Sequence, residues 1–290
     1  MFRVAFLGRG RIGAQVLEGL LAQPNVKVPI IITCDASPEV GCKPCDFEAV
    51  ASKHSIPYYH TNSINRKTWV ARLTEADADI AVAMLWLYVI EEEILATTRL
   101  GFLNLHGGLL PRYRGNACAN WLILNEETEM GITVHLMEPG RLDSGPVVLQ
   151  ETLPVDESTK IGELVRALEE RGPQLVLQAV ELFRTGRAEP RDQDEHKASY
   201  CYPRLPRDGE IDWVLPGSEI EKLVRATGAP YPGAYCYFAD PREQGRIKKL
   251  TVWEAHLERH PLKEFHAVPG HVIHLREERK RAVVCGDKSL

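Results

Sequence analysis

The stretch Phe2-Arg3-Val4-Ala5-Phe6-Leu7-Gly8-Arg9-Gly10-Arg11-Ile12-Gly13 sets the architecture of the chain. A short apolar run ends in a glycine-rich turn. Ile12, Val16, Leu17, Leu20 and Leu21 then fall on one helical face between Arg11 and Leu21. A strand that turns through glycines into an amphipathic helix is the opening unit of a parallel α/β sheet. The same turn fits a GxGxxG pyrophosphate loop, with Gly8, Arg9 and Gly10 facing a ligand and Asp35 placed as a ribose-binding acid. An NAD-dependent dehydrogenase is therefore one reading. The other is that any tight first β–α turn in such a fold selects glycine. No hydride-transfer site is recognisable further along.

Outward from this unit the alternation continues. Val28 to Thr33 reads as a strand, Phe47 to His54 as a helix, and Ile80 to Met84 and Gly101 to Leu105 as buried strands with a helix at Glu91 to Thr98 between them. This order implies an α/β fold, a mostly parallel sheet covered by helices on both faces. Ala117 to Asn125 is helical. Gly131 to Met137 and Pro146 to Leu153 look like a hairpin added to the sheet, and Lys160 to Arg184 is a long helix that Pro173 should kink or split. The polar, proline-punctuated stretch from Pro190 to Arg207 reads as a linker. A short helix, Ser218 to Ala226, and strand-like runs at Ala234 to Phe238, Leu250 to His256, Gly270 to Leu275 and Arg281 to Cys285 follow. The expected organisation is a catalytic domain over 1–189, a linker over 190–207 and a small β-rich domain over 208–290.

Composition narrows the function classes. The 290 residues carry 35 basic and 40 acidic side chains, a net charge of −5, so no overall basic field gathers nucleic acid. The apolar run from Ile80 to Ile90 is half a membrane span, and no secretory signal is visible, so a cytoplasmic protein without membrane association is expected. Seven cysteines then default to reduced thiols. Cys42 and Cys45 form a lone CxxC with Cys34 and His54 nearby. A zinc site would want four ligands at suitable spacing, and the plainer reading is a polar loop, so no metal is expected.

The chemistry concentrates in Asn104-Leu-His106-Gly-Gly-Leu-Leu-Pro111-Arg112-Tyr113-Arg114-Gly115, followed by Gly131-Ile-Thr-Val-His135-Leu-Met and Leu142-Asp143-Ser144-Gly145-Pro146. Asn104 and His106 stand two apart on a strand end, so their side chains leave the same face. Asp143, in the loop between the next two strands, can reach the same volume. An amide donor, an imidazole and a carboxylate suit acyl transfer to an amine. The amine sheds a proton as it attacks, and the carbonyl oxygen gains charge that needs preorganised donors. No serine or cysteine is placed as a nucleophile, so direct transfer is the economical route.

These motifs together resemble the folate-dependent formyltransferase family: an Asn-x-His, a Leu-Leu-Pro-x-x-x-Gly segment and a Leu-Asp-x-Gly, with similarity from the first strand to at least Tyr235. The resemblance implies 10-formyltetrahydrofolate as co-substrate, with Asn104, His106 and Asp143 in the catalytic roles. It implies folate contacts from Trp86, Leu87, Tyr88, Leu109, Glu138, Gly140 and Leu142. Gly8, Arg9 and Gly10, facing the substrate's phosphate or sugar, with Arg112, Arg114 and the aromatic Tyr231, are the candidate amine-substrate residues. The family's fold opens with a strand–glycine turn–helix and binds no dinucleotide there. Three departures stand out: Gly108 where most relatives have Ser, Asn116-Ala-Cys118-Ala in place of a proline-bearing segment, and a loop from His135 to Asp143 that is one residue longer.

Relatives act on methionyl-tRNA, glycinamide ribonucleotide or nucleotide-linked amino sugars, and a hydrolase branch carries an N-terminal regulatory domain. With the catalytic unit starting at Met1, that last arrangement is not expected. The segment from Tyr202 to Trp213, with Arg225-Ala226 and Pro230 to Tyr235, is similar to both tRNA and sugar enzymes. The short loop from Cys34 to Phe47 and the negative net charge favour the sugar branch, typified by the formyltransferase domain acting on UDP-4-amino-4-deoxy-arabinose. The expected partner is a small nucleotide-linked amino sugar, with tRNA as the alternative, and a homodimer is compatible with this reading. Arg242, Arg246, Lys248, Lys249, Arg276, Arg279, Lys280 and Arg281 argue for tRNA. They are interleaved with Asp240, Glu243, Glu254, Glu258, Glu277 and Glu278.

Overall fold

The computed structural model describes residues 1–37, 40–240, 243, 245–258, 265–275 and 280–289. It divides into two compact units. One comprises Met1–Cys118, Glu129–Pro154 and Val165–Tyr202, and the other Ala119–Thr128, Val155–Leu164 and Pro203–Leu290.

The first unit is built on β1 (Phe2–Gly8), β2 (Val26–Lys27), β3 (Ile31–Thr33), β4 (Tyr58–His60), β5 (Ile80–Met84), β6 (Phe102–His106), β8 (Glu129–Leu136) and β9 (Val147–Pro154). Their order is β4-β3-β1-β5-β6-β8-β9, with β2 beside β1. β1 through β6 pair in parallel, and β8 and β9 add antiparallel to that edge, as the hairpin reading expected. Parallel strands buried on both faces need apolar side chains on both, and Val4, Ala5, Phe6 and Leu7 are all fully buried. On one face Ala5, Leu7, Ala81, Ala83 and Phe102 join Leu73 of α3 (Lys67–Ala76) and Ile94 and Leu95 of α4 (Glu92–Leu95) in a single core. On the other, the Phe6 ring stacks on Phe47 of α2 (Pro44–His54) with centroids 5.9 Å apart. Gly19 of α1 (Gly10–Ala22) and Gly172 of α6 (Ile161–Arg184) leave room there for Leu177 and Leu105.

Four elements differ from the sequence reading. The run from Val28 to Thr33 is interrupted, because Pro29 has no N–H for the ladder, and only Ile31–Thr33 remains a strand with β2 ahead of it. The helix expected over Glu91 to Thr98 is one turn, Glu92–Leu95. α6 runs through Pro173 as one helix of 24 residues rather than two. The stretch read as a linker is bonded into the first unit as far as Tyr202. Arg191 exchanges both backbone hydrogen bonds with Val147, at 2.8 and 2.9 Å, and β10 (Tyr200–Cys201) pairs in parallel with β7 (Arg114–Gly115). The sequence reading also lacked β4 and α3.

In the second unit, α7 (Gly217–Thr227) packs Ile220 and Val224 against Ala234 and Cys236 of β11 (Ala234–Asp240). β11 forms a hairpin with β12 (Arg246–Val252), and β13 (Val272–Leu275) another with β14 (Lys280–Val283). This is the β-rich unit expected. α5 (Cys118–Leu124) lies almost wholly in it. Arg242, Arg276, Glu277, Glu278 and Arg279 lie outside the described residues. Among those described, no helix is long and apolar enough to cross a membrane.

Candidate active site

β6 brings the expected residues together. Alternation along Phe102–His106 puts Asn104 and His106 on the face of Phe102, at the carboxyl end of the strand, where parallel sheets place their ligand sites. The neighbouring β8 is antiparallel and registers His135 directly opposite Asn104. The loop after β8 returns Asp143 to the same point. Its Oδ1 lies 3.4 Å from Asn104 Nδ2 and 3.4 Å from His135 Nε2, and its Oδ2 lies 3.5 Å from His106 Nδ1. The Gly115 N–H donates to that Oδ2 at 2.8 Å. To reach these partners Asp143 adopts a left-handed backbone, φ 49°, which costs a non-glycine residue energy and is held by its surroundings.

The hydrogen bonds fix much of the protonation. His106 Nε2 lies 2.6 Å from the Tyr113 carbonyl, which can only accept, so Nε2 carries the proton and Nδ1 turns its lone pair toward Asp143. His135 Nδ1 likewise donates to the Leu136 carbonyl at 2.8 Å, and its Nε2 lies 3.1 Å from Asn104 Nδ2 and 3.4 Å from Asp143 Oδ1. Burial pushes the His106 pKa down, against the opposing pull of Asp143 and the Tyr113 carbonyl, so the ring is held neutral. Burial raises the Asp143 carboxyl, but His106, His135 and the Gly115 N–H outweigh it and hold it at about 2. A neutral imidazole thus faces a fixed carboxylate. Gly108 is required at its position. A β-carbon there would stand 2.6 Å from the Tyr113 carbonyl and 2.7 Å from His106 Nε2, so a larger residue would crowd this ring.

Two loops flank β6. Trp86, at the end of β5, and Met137, at the end of β8, pack on the same core. Leu87, Tyr88 and Leu142 are exposed apolar side chains, 49%, 44% and 49% accessible, and Gly140 turns its loop with φ 68°. Trp86 Nε1 is buried without a hydrogen-bond partner. Leu109 follows Gly108 in the turn after β6, and Glu138 accepts from the Ser144 hydroxyl at 3.1 Å.

The residues expected to hold the amine substrate are not grouped alike. The Arg9 guanidinium donates to the Leu85 and Asp35 carbonyls at 2.6 and 3.3 Å. Gly8 and Gly10 form the turn beside it, but the space over Gly10 is taken by Val40, whose carbonyl stands 2.8 Å from where a β-carbon would be. Asp35 is bonded to His60 and Asn62 at 2.9 and 2.6 Å. Arg112 lies with its guanidinium 5.8 Å from the Tyr113 ring centre. Arg114 is corrected: its side chain is fully buried, and all five N–H groups are spent on Gln193, Glu195 and Tyr200, leaving none for a substrate. Tyr231 belongs to the second unit, where its N–H donates to the Gly228 carbonyl beside the Ala229–Pro230 bond.

Sequence reasoning gave no role to His135, although an imidazole inside the apolar run Gly131 to Met137 was a signal. Gln193 carried none. Among the described residues no group of three or more His, Cys, Asp or Glu side chains is arranged to hold a metal ion, Cys42 and Cys45 included.

The formyl transferase family profile matches residues 2–180, and that of the formyl transferase C-terminal domain matches residues 205–290. Among solved structures, an N-formyltransferase from Helicobacter canadensis, in complex with folinic acid and dTDP-3-aminofucose, superposes with a TM-score of 0.68. It is 17% identical, over 100% of this chain and 97% of its own. A sugar N-formyltransferase from Shewanella gives 0.67 at 16% identity, over 88% of this chain and 99% of its own. HypX from Aquifex aeolicus with tetrahydrofolic acid gives 0.63 at 19%, over 99% of this chain and 43% of its own. At these identities the likeness is one of fold. The two profile matches go further, and with a donor, an imidazole and a carboxylate converging at the end of β6 the chain belongs to the formyl transferase family and is a formyl-transferring enzyme.

Proposed function

We infer that the enzyme moves the formyl group of 10-formyltetrahydrofolate to the primary amine of a nucleotide-linked amino sugar. The observation that carries the reaction is the neutral His106, with its Nδ1 lone pair facing a carboxylate 3.5 Å away. The amine nitrogen attacks the formyl carbon, and the carbonyl oxygen gains negative charge. The long 3.4 Å contact from Asn104 Nδ2 to Asp143 is the one that can turn to this oxygen. The ammonium proton passes to Nδ1, and the resulting imidazolium is stabilised between Asp143 and the Tyr113 carbonyl. Collapse restores the carbonyl and expels N10 of tetrahydrofolate, which takes up the proton. The apolar loop residues Leu87, Tyr88 and Leu142, with Trp86, Leu109, Glu138 and Gly140 around them, are assigned to the folate. Gly8, Arg9, Gly10 and Arg112 are assigned to the amine substrate.

Two observations favour a sugar nucleotide. The Helicobacter canadensis protein of like fold holds dTDP-3-aminofucose with folinic acid. The described cations of the second unit are also largely engaged: Arg246 and Lys248 with Glu243, Lys160 with Glu254, and Lys249 over the Tyr235 ring at 3.7 Å. Methionyl-tRNA is the alternative amine. The test is incubation with 10-formyltetrahydrofolate and UDP-, dTDP- and GDP-linked amino sugars. Tetrahydrofolate release is followed together with formamide product. Release without formamide would mean hydrolysis and would refute the transfer. Asp143→Asn is expected to lower kcat by about 10²–10⁴-fold, the usual worth of a group in acid–base catalysis.

A further inference from the structure

Asp143 reaches its partners through a strained turn, and something must hold that turn. The Gln193 side chain does so from behind. Its Nε2 donates to the Asp143 carbonyl at 2.8 Å and to the Gly145 carbonyl at 2.7 Å, so both amide hydrogens are spent on the two sides of the turn. Its Oε1 accepts from Arg114 Nε at 3.1 Å and Nη2 at 2.8 Å, so both lone pairs are spent as well. Arg114 is fixed in turn. Its buried guanidinium donates to both Glu195 oxygens, at 2.8 and 3.1 Å, and to the Tyr200 hydroxyl at 2.8 Å. Glu195 also bridges at 2.8 Å to Arg141, two residues before Asp143. Next to Arg114 in sequence, Gly115 supplies the N–H that binds Asp143 Oδ2. One rigid cation thus sets one amide, and that amide sets the backbone carrying the carboxylate.

We propose that Gln193, oriented by the buried Arg114, is a positioning residue for formyl transfer: it holds the left-handed turn that aims the Asp143 carboxylate at His106. The proposal rests on the catalytic reading of Asp143 given above. Its chemistry is specific to glutamine. No other residue of this length offers two donors to two carbonyls and an acceptor to a guanidinium at once. The sequence places Gln193 far from the motif it serves, in a stretch that reads as a linker.

Gln193→Glu is the informative variant. It keeps the shape and the pairing with Arg114, but sets oxygens against the two carbonyls. The expected result is a kcat about 10–100-fold lower, as for other groups that orient a functional side chain. KM for folate and for the amine should stay within about two-fold; the carboxylate facing two carbonyls lowers the urea midpoint, and rates are compared well below it, where the variant is folded. A second readout separates positioning from mere support. Asp143 favours the protonated form of His106, so withdrawing the carboxylate should move the His106 titration, followed by NMR of the imidazole ring, to lower pH. Wild-type kcat in Gln193→Glu, or a lower kcat with an unmoved His106 titration, overturns the proposal while Asp143→Asn remains inactive. Wild-type turnover in Asp143→Asn instead strikes the catalytic reading itself, and the positioning role with it.

Discussion

A β-carbon at Gly108 would meet the Tyr113 carbonyl and the His106 ring inside van der Waals contact, so the imidazole has one place to sit. Gly108→Ser is therefore expected to cost about 1–3 kcal/mol by overpacking and to lower kcat by displacing His106. Urea unfolding and steady-state rates check this, and unchanged values in both would mean that the ring swings freely. The same crowding governs the thiol beside it. Cys118 Sγ donates to the Tyr113 carbonyl at 3.0 Å, and its contact with Cys201 together with burial pushes its pKa far up. Mass spectrometry after brief alkylation at pH 8 should find the exposed Cys45 modified and Cys118 untouched in the folded protein. Labelling of Cys118 first would contradict the placement. Asn104 and His106 were legible because a period of two on a strand fixes their face. Arg114 was misread because charge alone does not tell a ligand-binding cation from a buried one, and its partners Gln193, Glu195 and Tyr200 arrive from a remote part of the chain. His135 was hidden for a related reason, since its place opposite Asn104 is a matter of strand register.

The strongly periodic segments β1, α1, β5, β6 and α6 were readable because each buries a face or both faces against a continuous core. Elements that contribute few buried residues escaped: α3 has only Leu73 fully buried, and β4 is three residues long. Leu73 nonetheless closes the core that supports β5 and β6. Leu73→Ala should cost about 2–5 kcal/mol, seen as a lower unfolding midpoint, with kcat per folded molecule near wild type. A loss below about 1 kcal/mol would remove α3 from that core. The segment from Pro190 to Tyr202 was unreadable for the opposite reason. Its polar residues look solvated in sequence, yet they make their bonds to the Asp143 loop and to β7, partners that no local pattern announces.

Charge distributed over the chain shapes both stability and partner choice. Asp143 has a folded pKa of about 2, below the ordinary carboxyl, so its contribution is present above about pH 4 and is lost as pH falls toward 2. His106 is held neutral by burial, so the unfolded chain binds the extra proton first, and stability falls as pH drops below about 6.5. His106→Asn should flatten the stability profile just below pH 6.5 and, because His106 helps to hold the Asp143 carboxyl low, also weaken the loss near pH 3. An unaltered profile would mean that His106 titrates normally in the folded protein. The amine partner is the remaining question, and electrostatics separates the candidates. A tRNA enzyme neutralises many phosphates, so its affinity falls steeply with salt, whereas a sugar diphosphate engages one or two cations. With a net charge of −5, and with Arg246, Lys248, Lys160 and Lys249 of the second unit each already facing a carboxylate or a ring, few described cations are free to form a phosphate track. Turnover of a nucleotide-linked amino sugar is accordingly expected to change only modestly, about two- to three-fold in kcat/KM, between 50 and 200 mM salt. Charged initiator tRNA should be a poor substrate under the same conditions. Efficient formylation of the tRNA, collapsing by orders of magnitude over that salt range and without turnover of any sugar nucleotide, would replace the amine assignment while leaving the chemistry of Asn104, His106 and Asp143 as it stands.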